Sequence, residues 1–229
     1  MKRHAMIGAM IVAASLAACK KHEKVEEAPV AAAPVPVTAP DPASAGKVPA
    51  AEQTDEQREM AKKQALLAYG VMEDKYINDP RAQWAAEAKA SSVFGDKDGK
   101  TPSDSNLAKN AVGASDGDAW TNNNIDQGFD WLETTFATPV NATEVRFVLP
   151  SGQGVEAVNK VELQDTDGKW NTVWEGVSDV KRDERGNRTW FVRTFTKTPY
   201  KAKAVKITYA NNLQHDYKTI DAVQLVGDK

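Results

Sequence analysis

Hydrophobic and polar positions divide the chain into four stretches with different periods. A short basic start (Lys2, Arg3, His4) leads into an apolar run from Ala5 to about Ala14. That run is shorter than the roughly 20 apolar residues a membrane-spanning helix requires. Residues 25–52 have no period and are rich in Pro and Ala. Such a segment buries too little surface to offset the entropy of ordering, so it reads as a disordered tether, extended at about 3 Å per residue. Over 53–77, Met60, Leu67 and Val71 recur at helical spacing. Thr54 with Gln57 matches a capping box, and Asn78-Asp79-Pro80 ends the run. The apolar stripe is narrow, so this helix is expected to dock weakly, on the body of the protein or on a partner.

From Trp84 onward the period changes to two. Val145, Phe147 and Leu149 alternate with Glu144 and Arg146, and Val205, Ile207 and Tyr209 with Lys206 and Thr208. Eight strands are predicted, at 84–92, 130–137, 143–149, 159–165, 169–175, 189–196, 203–209 and 219–226, which argues an all-β sandwich or barrel. Asp167-Gly168 signals a tight hairpin. Trp84-Ala-Ala-Glu-Ala-Lys-Ala is helical by propensity, and only its context makes it a strand. About 145 residues suffice for one sizeable core, with Trp131, Trp170, Trp174 and Trp190 expected to supply its bulk.

Leu16-Ala17-Ala18-Cys19 resembles the lipobox of bacterial lipoproteins. The resemblance implies diacylation (palmitate-type) of Cys19, cleavage before it, and acylation of the new amino terminus. Residues 1–18 are then a signal peptide and 19–52 a lipidated tether. The alternative is an ordinary secretory signal with a chance cysteine. Cys19 is the only cysteine in the chain, so no internal disulfide forms. Two or three acyl chains bind a bilayer far more firmly than one, at about 0.8 kcal/mol for each buried methylene. Lys20, rather than an aspartate, follows the cysteine. By resemblance to known sorting rules this favours lipid anchoring at the outer membrane of the cell envelope. The whole chain carries a net charge of −3, and residues 19–229 carry −5, with 27 basic residues against 32 acidic. That balance argues against a nucleic-acid partner and against a polybasic lipid-binding patch. Lys20, Lys21 and Lys24 read as a solvated cluster next to the anchor.

Three segments carry a second resemblance. They are Ala90-Ser-Ser-Val-Phe-Gly-Asp, Asn110-Ala-Val-Gly-Ala-Ser-Asp-Gly-Asp-Ala-Trp120, and Trp131-Leu-Glu-Thr-Thr-Phe-Ala-Thr-Pro-Val140. Together with Val161-Glu-Leu-Gln-Asp-Thr-Asp-Gly, Val173-Trp-Glu-Gly and Ile220-Asp-Ala-Val-Gln-Leu-Val-Gly, they resemble discoidin-like, galactose-binding-type domains. The resemblance implies a jelly-roll β-sandwich over 84–227, preceded by a helical segment at 53–80. Such a fold hosts binders of sugars, lipids and proteins, so it does not choose among ligands. The loop from Phe94 to Gly128 is more polar than a sugar-specific member leads one to expect.

No catalytic set emerges. His4 lies in the signal and His22 beside the tether, and His215 is followed by Asp216 as a solvated loop pair. There is no zinc spacing, no Gly-x-Ser-x-Gly elbow and no phosphate loop. Asp165/Asp167 flank a hairpin turn, and Asp183/Glu184 sit in a charged loop. No cofactor is required. Asp96, Asp98, Asp116 and Asp118 offer oxygen ligands for a hard cation, and the resemblance implies that a structural calcium can sit in this opening segment. A solvated acidic loop is the default reading of the same residues.

Counting connections locates a binding end. If successive strands are antiparallel, 93–129, 150–158, 176–188 and 210–218 fall at one end, and 138–142, 166–168 and 197–202 at the other. Every long loop is at the first end. Loops on a rigid scaffold carry function, so ligand contacts are expected from Trp120, Asn122, Asn123, Asn124 and Asp126, from Gln153, Arg182, Arg185 and Asn187, and from His215 and Tyr217. Trp120 has two readings, an exposed stacking face or a plug for the end of the sandwich. The leading expectation is a non-catalytic, envelope-anchored module that binds glycan or cell-wall-type ligands. A protein-binding lipoprotein, an inhibitor or immunity-type partner or a scaffold of an envelope complex, is the runner-up.

Overall fold

A computed structural model describes residues 54–95 and 104–229 of the chain. The signal segment, Cys19, the tether, Asp96 and Asp98 lie outside the described residues. Among those described, no helix is long and apolar enough to cross a membrane.

Helix α1 (Asp55–Ile77) begins where the capping box places it. Thr54 Oγ1 accepts from the Gln57 amide at 3.2 Å, and Gln57 Oε1 accepts from the Thr54 amide at 3.0 Å. Two orphan donors of the first turn are thereby satisfied. The expected packing stripe is a correction: Met60, Leu67 and Val71 are 56 %, 70 % and 64 % exposed. The helix docks instead through Tyr69, Met72, Glu73 and Tyr76. Tyr69 Oη donates to the Arg188 carbonyl at 2.8 Å, and Glu73 Oε1 accepts from Arg188 Nε and Trp190 Nε1, both at 3.0 Å. Beyond the helix, Arg146 pairs with Asp79 at 2.8 Å and lies over the Tyr76 ring at 4.6 Å. A docking face made of polar and aromatic groups, with partners far away in sequence, has no apolar periodicity to betray it. A part-buried network of hydrogen bonds and ion pairs holds the helix against the sandwich.

Among the described residues ten strands follow: β1 (Ala82–Trp84), β2 (Glu87–Ala90), β3 (Trp120–Thr121), β4 (Phe129–Pro150), β5 (Val158–Asp165), β6 (Trp170–Glu175), β7 (Arg188–Thr194), β8 (Lys201–Ala210), β9 (Thr219–Ile220) and β10 (Ala222–Asp228). All pairings are antiparallel. The first half of β4 pairs with β2 and β8, and β8 continues to β5 and β6. The second half of β4 lies between β10 and β7, and β10 continues to β1. The result is the expected jelly-roll sandwich, with β4 belonging to both layers.

Two strands predicted separately, 130–137 and 143–149, are thus one bent strand whose register with β8 shifts between Thr135 and Val140. The converse holds for 84–92. The chain leaves β1 in one layer and enters β2 in the other, with Ala85 buried at the crossing. Helical propensity there yields to ladder bonds on both sides, Ala85 N to Val223 O and Ala86 N to Thr135 O.

The core between the layers is centred on Phe147 and Phe191, stacked at 4.5 Å, with Trp174 edge-on to Phe191 at 5.6 Å. Trp120 and Tyr209 fill the long-loop end of it. The expectation of a four-tryptophan core is corrected. Trp131 and Trp170 lie half-buried, with Lys206 Nζ 4.7 Å and 5.7 Å from their rings. Trp190 packs in a separate cluster with Val148 and Ala222, against Met72 and Tyr76 of α1. Inward positions of β4 are fixed by alternation from Leu132, so Trp131 has to point outward.

Candidate functional site

Four long connections meet at one end of the sandwich. Asn122 N donates to Lys218 O, Asn211 N to Gly128 O, and Ser151 N to Asn187 O. The short turns meet at the other, where Thr198 N donates to Ala142 O and Lys203 Nζ to Thr166 O.

Two buried charges organise the long-loop end. Asp130 is the first inward position of β4 and is 1 % exposed. Its carboxylate accepts from Ser91 Oγ at 2.7 Å, Ser92 Oγ at 2.9 Å, Asn122 Nδ2 at 2.8 Å, and Asn124 and Asn211 Nδ2 at 3.0 Å. Burial raises this carboxyl, but the hydrogen bonds from Ser91, Asn122, Asn124 and Ser92 more than offset it and leave it below the usual carboxylate range. Lys218 is fully buried, and its Nζ donates to four carbonyls: Ile125 at 2.7 Å, Asn211 at 3.2 Å, Gln214 at 2.7 Å and Asp216 at 2.6 Å. Burial pulls the ammonium down to about 8, against the opposing pull of Asp130, Asp216 and Asp126. One side chain therefore ties together backbone from two different loops.

The turn Ser151–Gly154 fits against both loops. Gly154, at φ 92°, lies so close to Lys218 that a Cβ there meets its Cγ at 2.9 Å. Gly152, at φ 71°, does the same for Arg182, whose Cγ stands 2.9 Å from the place a Cβ occupies. Ser151 is the one described non-glycine residue with positive φ, at 53°. Such local strain persists only where the surroundings impose it.

Two depressions open here. The first, about 290 Å³, is lined by Ser151, Gln153, Glu156, Arg182, Gln214 and Asp216, with Val155 the main apolar group. The second, about 470 Å³, runs between α1 and the 176–188 loop, over Met72, Tyr76, Val180 and Trp190, with Arg182, Asp183 and Arg185 on its rim. Arg182 lines both. Both carboxylates of the first depression are engaged: Glu156 pairs with Lys181 at 3.1 Å, and Asp216 Oδ1 accepts from the Tyr217 amide at 2.8 Å.

Of the residues expected to touch ligand, Gln153 and Arg182 come together in the first depression, and Arg182 and Arg185 in the second. Asp126, Asn187 and His215 are exposed on the surrounding loops and line neither. Tyr217 is half-buried and meets Phe94 edge-on at 4.8 Å. Two expectations are corrected. Trp120 has no exposure, and its Nε1 donates to Ser92 O at 2.9 Å, so it is the plug. Asn122 is fully buried on Asp130 and the Lys218 amide. Asn124 is held by Asp130, and Asn123 accepts from the Gly95 amide at 3.3 Å. Asn122 and Asn124 are tied to the scaffold, because a buried carboxylate at Asp130 requires donors around it. Asp116 and Asp118 form a local turn, with the Asp118 amide donating to Asp116 Oδ1 at 3.0 Å. Among the described residues no three His, Cys, Asp or Glu side chains gather closely enough to hold a metal.

Sequence reasoning missed Met72 and Tyr76, because the packing face of the helix was read from Met60, Leu67 and Val71, and it placed Trp190 in the main core rather than under the helix. It also missed Asp130 and Lys218. The first had a signal: Asp130 shares the inward parity of Leu132, Thr134 and Phe136, which marks a buried carboxylate.

No family model matches the chain, and no curated protein does. Among solved structures, the chain is similar to chitosan-binding module 1 of a chitosanase/glucanase from Paenibacillus sp. IK-5, with 16 % identity and TM-score 0.47, over 62 % of this chain and 94 % of that one. It is similar also to a CBM32-5 module from Clostridium perfringens in complex with GalNAc-β-1,3-galactose, with 14 % identity and TM-score 0.46, over 62 % of this chain and 94 % of that one. A third is an F5/8 type C domain from Bacteroides fragilis, with 14 % identity and TM-score 0.49, over 66 % of this chain and 99 % of that one.

Proposed function

We propose that this chain is a non-catalytic glycan-binding module, held on the bacterial envelope by lipid on Cys19, that takes its ligand at the long-loop end. The observation that carries the reading is the first depression. Its walls are a guanidinium, two side-chain amides, a serine and two carboxylates, with little apolar surface. Planar donors and acceptors of this kind pair with neighbouring hydroxyls of a sugar ring. The scaffold beneath is fixed by Asp130 and Lys218, so little ordering opposes binding. The two carboxylates already have partners, which suits recognition rather than proton transfer. The lipid anchor is supported by the lipobox-like Leu16-Ala17-Ala18-Cys19 alone.

Two experiments test this. The full chain is incubated with purified cell-wall sacculi and with soluble polysaccharides, and retention is read by sedimentation and affinity electrophoresis. Retention is expected, and its absence on every glycan rejects the reading. For the anchor, cells are labelled with a palmitate analogue. Label is expected on the natural chain and not on Cys19→Ser, and label kept by the serine variant rejects lipidation at that sulfur.

One observation favours a protein ligand as a second reading. Met60, Leu66, Leu67 and Val71 are exposed on α1, and exposed apolar groups on one element mark interaction surfaces. Capture of an envelope protein that is lost in Leu67→Glu, with no glycan retained, would establish that alternative.

A further inference from the structure

Among the described residues, the cations of the long-loop end are paired, with one exception. Lys181 pairs with Glu156 at 3.1 Å, Arg185 with Asp183 at 2.7 Å, and Arg188 with Glu73 at 3.0 Å. Lys218 is held by four carbonyls. Arg182 has neither an ion pair nor a hydrogen bond among the described residues, although Asp183 and Glu184 follow it in the chain.

Arg182 is nonetheless held in place. Its stem lies against Gly152, where an added Cβ meets Arg182 Cγ at 2.9 Å and Cβ at 3.1 Å. The adjoining Ser151 takes a positive φ of 53°, so the turn that makes this notch is strained. The stem is fixed and the head is free, at the ridge shared by the two depressions. A guanidinium offers five donors, no acceptor and a permanent charge, in a fork that matches a carboxylate bidentately.

We infer that Arg182 reads a carboxylate on the glycan, so that the ligand class is an acidic sugar chain. The inference rests on the glycan reading above and deepens it. The rest of the first depression limits the charge of the ligand. Glu156 and Asp216 line it too, so a densely charged group such as a phosphate or sulfate ester meets repulsion beside Arg182, the one cation free among the described residues. A single carboxylate among many hydroxyls satisfies both signs. Arg182 sets specificity, while the hydroxyl-binding groups supply contacts common to neutral sugars.

The test uses the full chain on an array of immobilised glycans. Each uronate-, muramate- or sialate-bearing member is printed beside its carboxyl-reduced counterpart, and sulfated glycans form a separate arm. At least one carboxylate-bearing glycan should be retained about tenfold or more above its reduced counterpart. Arg182→Gln should erase that ratio, and Arg182→Lys should keep part of it, with melting temperatures unchanged in both. Equal retention of a glycan and its reduced counterpart overturns the acidic-ligand inference and leaves the glycan reading standing. So does retention confined to the neutral or the sulfated arm. A ratio that survives in Arg182→Gln overturns the assignment of this residue. Retention of no member rejects both readings together.

Discussion

Replacing Asp130 by asparagine keeps the volume and removes the charge, which isolates what the buried carboxylate contributes. Five side chains donate to it, two from the segment just after β2, two from the 122–124 run and one from Asn211. A hydrogen bond to a charged group contributes about 1.5–3 kcal/mol, against about 0.5–1.5 kcal/mol for a neutral one. An amide can keep its oxygen toward the asparagine donors and turn its nitrogen toward the two serines, so contacts survive while each weakens. Relief from burying a charge offsets part of the loss. The Lys218 ammonium also loses a buried counter-charge. The net cost should be about 2–3 kcal/mol, or roughly 5–10 °C in melting temperature for a domain of this size. Thermal melts and urea midpoints measure it, and proteolysis locates it. Cleavage should appear first in 123–128, where the loop depends on Asp130, while the strand ladders remain protected. A melting temperature within about 2 °C of the natural chain, with no new cleavage, would refute the view that this carboxylate organises the end.

Two further outcomes follow from the same geometry. Gly152→Ala and Gly168→Ala both force alanine to positive φ, at 71° and 91°, but only Gly152 is hemmed in, by Thr189 Oγ1 at 2.6 Å and Arg182 Cγ at 2.9 Å. Gly168→Ala should cost about 1 kcal/mol, whereas Gly152→Ala should cost roughly 1–3 kcal/mol more through overpacking and weaken ligand retention; equal costs in urea denaturation would contradict the cradle. In acid, Glu73 and Asp130 act together. Burial raises both, but hydrogen bonds to each leave the folded carboxyls below their unfolded values of 4.5 and 3.8. Their stabilisation is therefore present above those values and lost as pH falls through the lower folded ones. Tryptophan fluorescence, sensitive to Trp190 under α1, should report release of the helix below about pH 4, and an unchanged spectrum down to pH 2 would contradict it.

The sandwich was legible because half-buried strands alternate, and alternation survives in β4, β5 and β8 whatever their neighbours do. The end at which long loops gather was legible from strand parity alone. What each loop residue does there was not. Trp120 and Asn122 carry the residue types of a binding loop, yet both point inward, because their partners Tyr209 and the Lys218 amide lie far off in sequence. The helix shows the same limit from the other side. Its capping box could be read locally, but its docking face could not, since Tyr69 and Glu73 find their partners at Arg188 and Trp190. Arg182 was named from its place in a loop. The notch at Gly152 that holds it, and the absence of a partner for its charge among the described residues, became visible only in three dimensions.

The most direct measurement compares the two ends of the sandwich in one retention assay, with the full chain on purified sacculi and soluble polysaccharides. Arg182→Ala and Gln153→Ala change the first depression, whereas Thr138→Ala and Lys201→Ala change exposed positions at the short-turn end. All four should melt within about 2 °C of the natural chain, since none removes a buried partner. Retention should fall at least about tenfold in the first pair, the equivalent of one or two lost charge-assisted or neutral hydrogen bonds, and stay unchanged in the second. Loss of retention in Thr138→Ala or Lys201→Ala, with Arg182→Ala and Gln153→Ala still binding, would place the ligand at the opposite end and contradict the assignment.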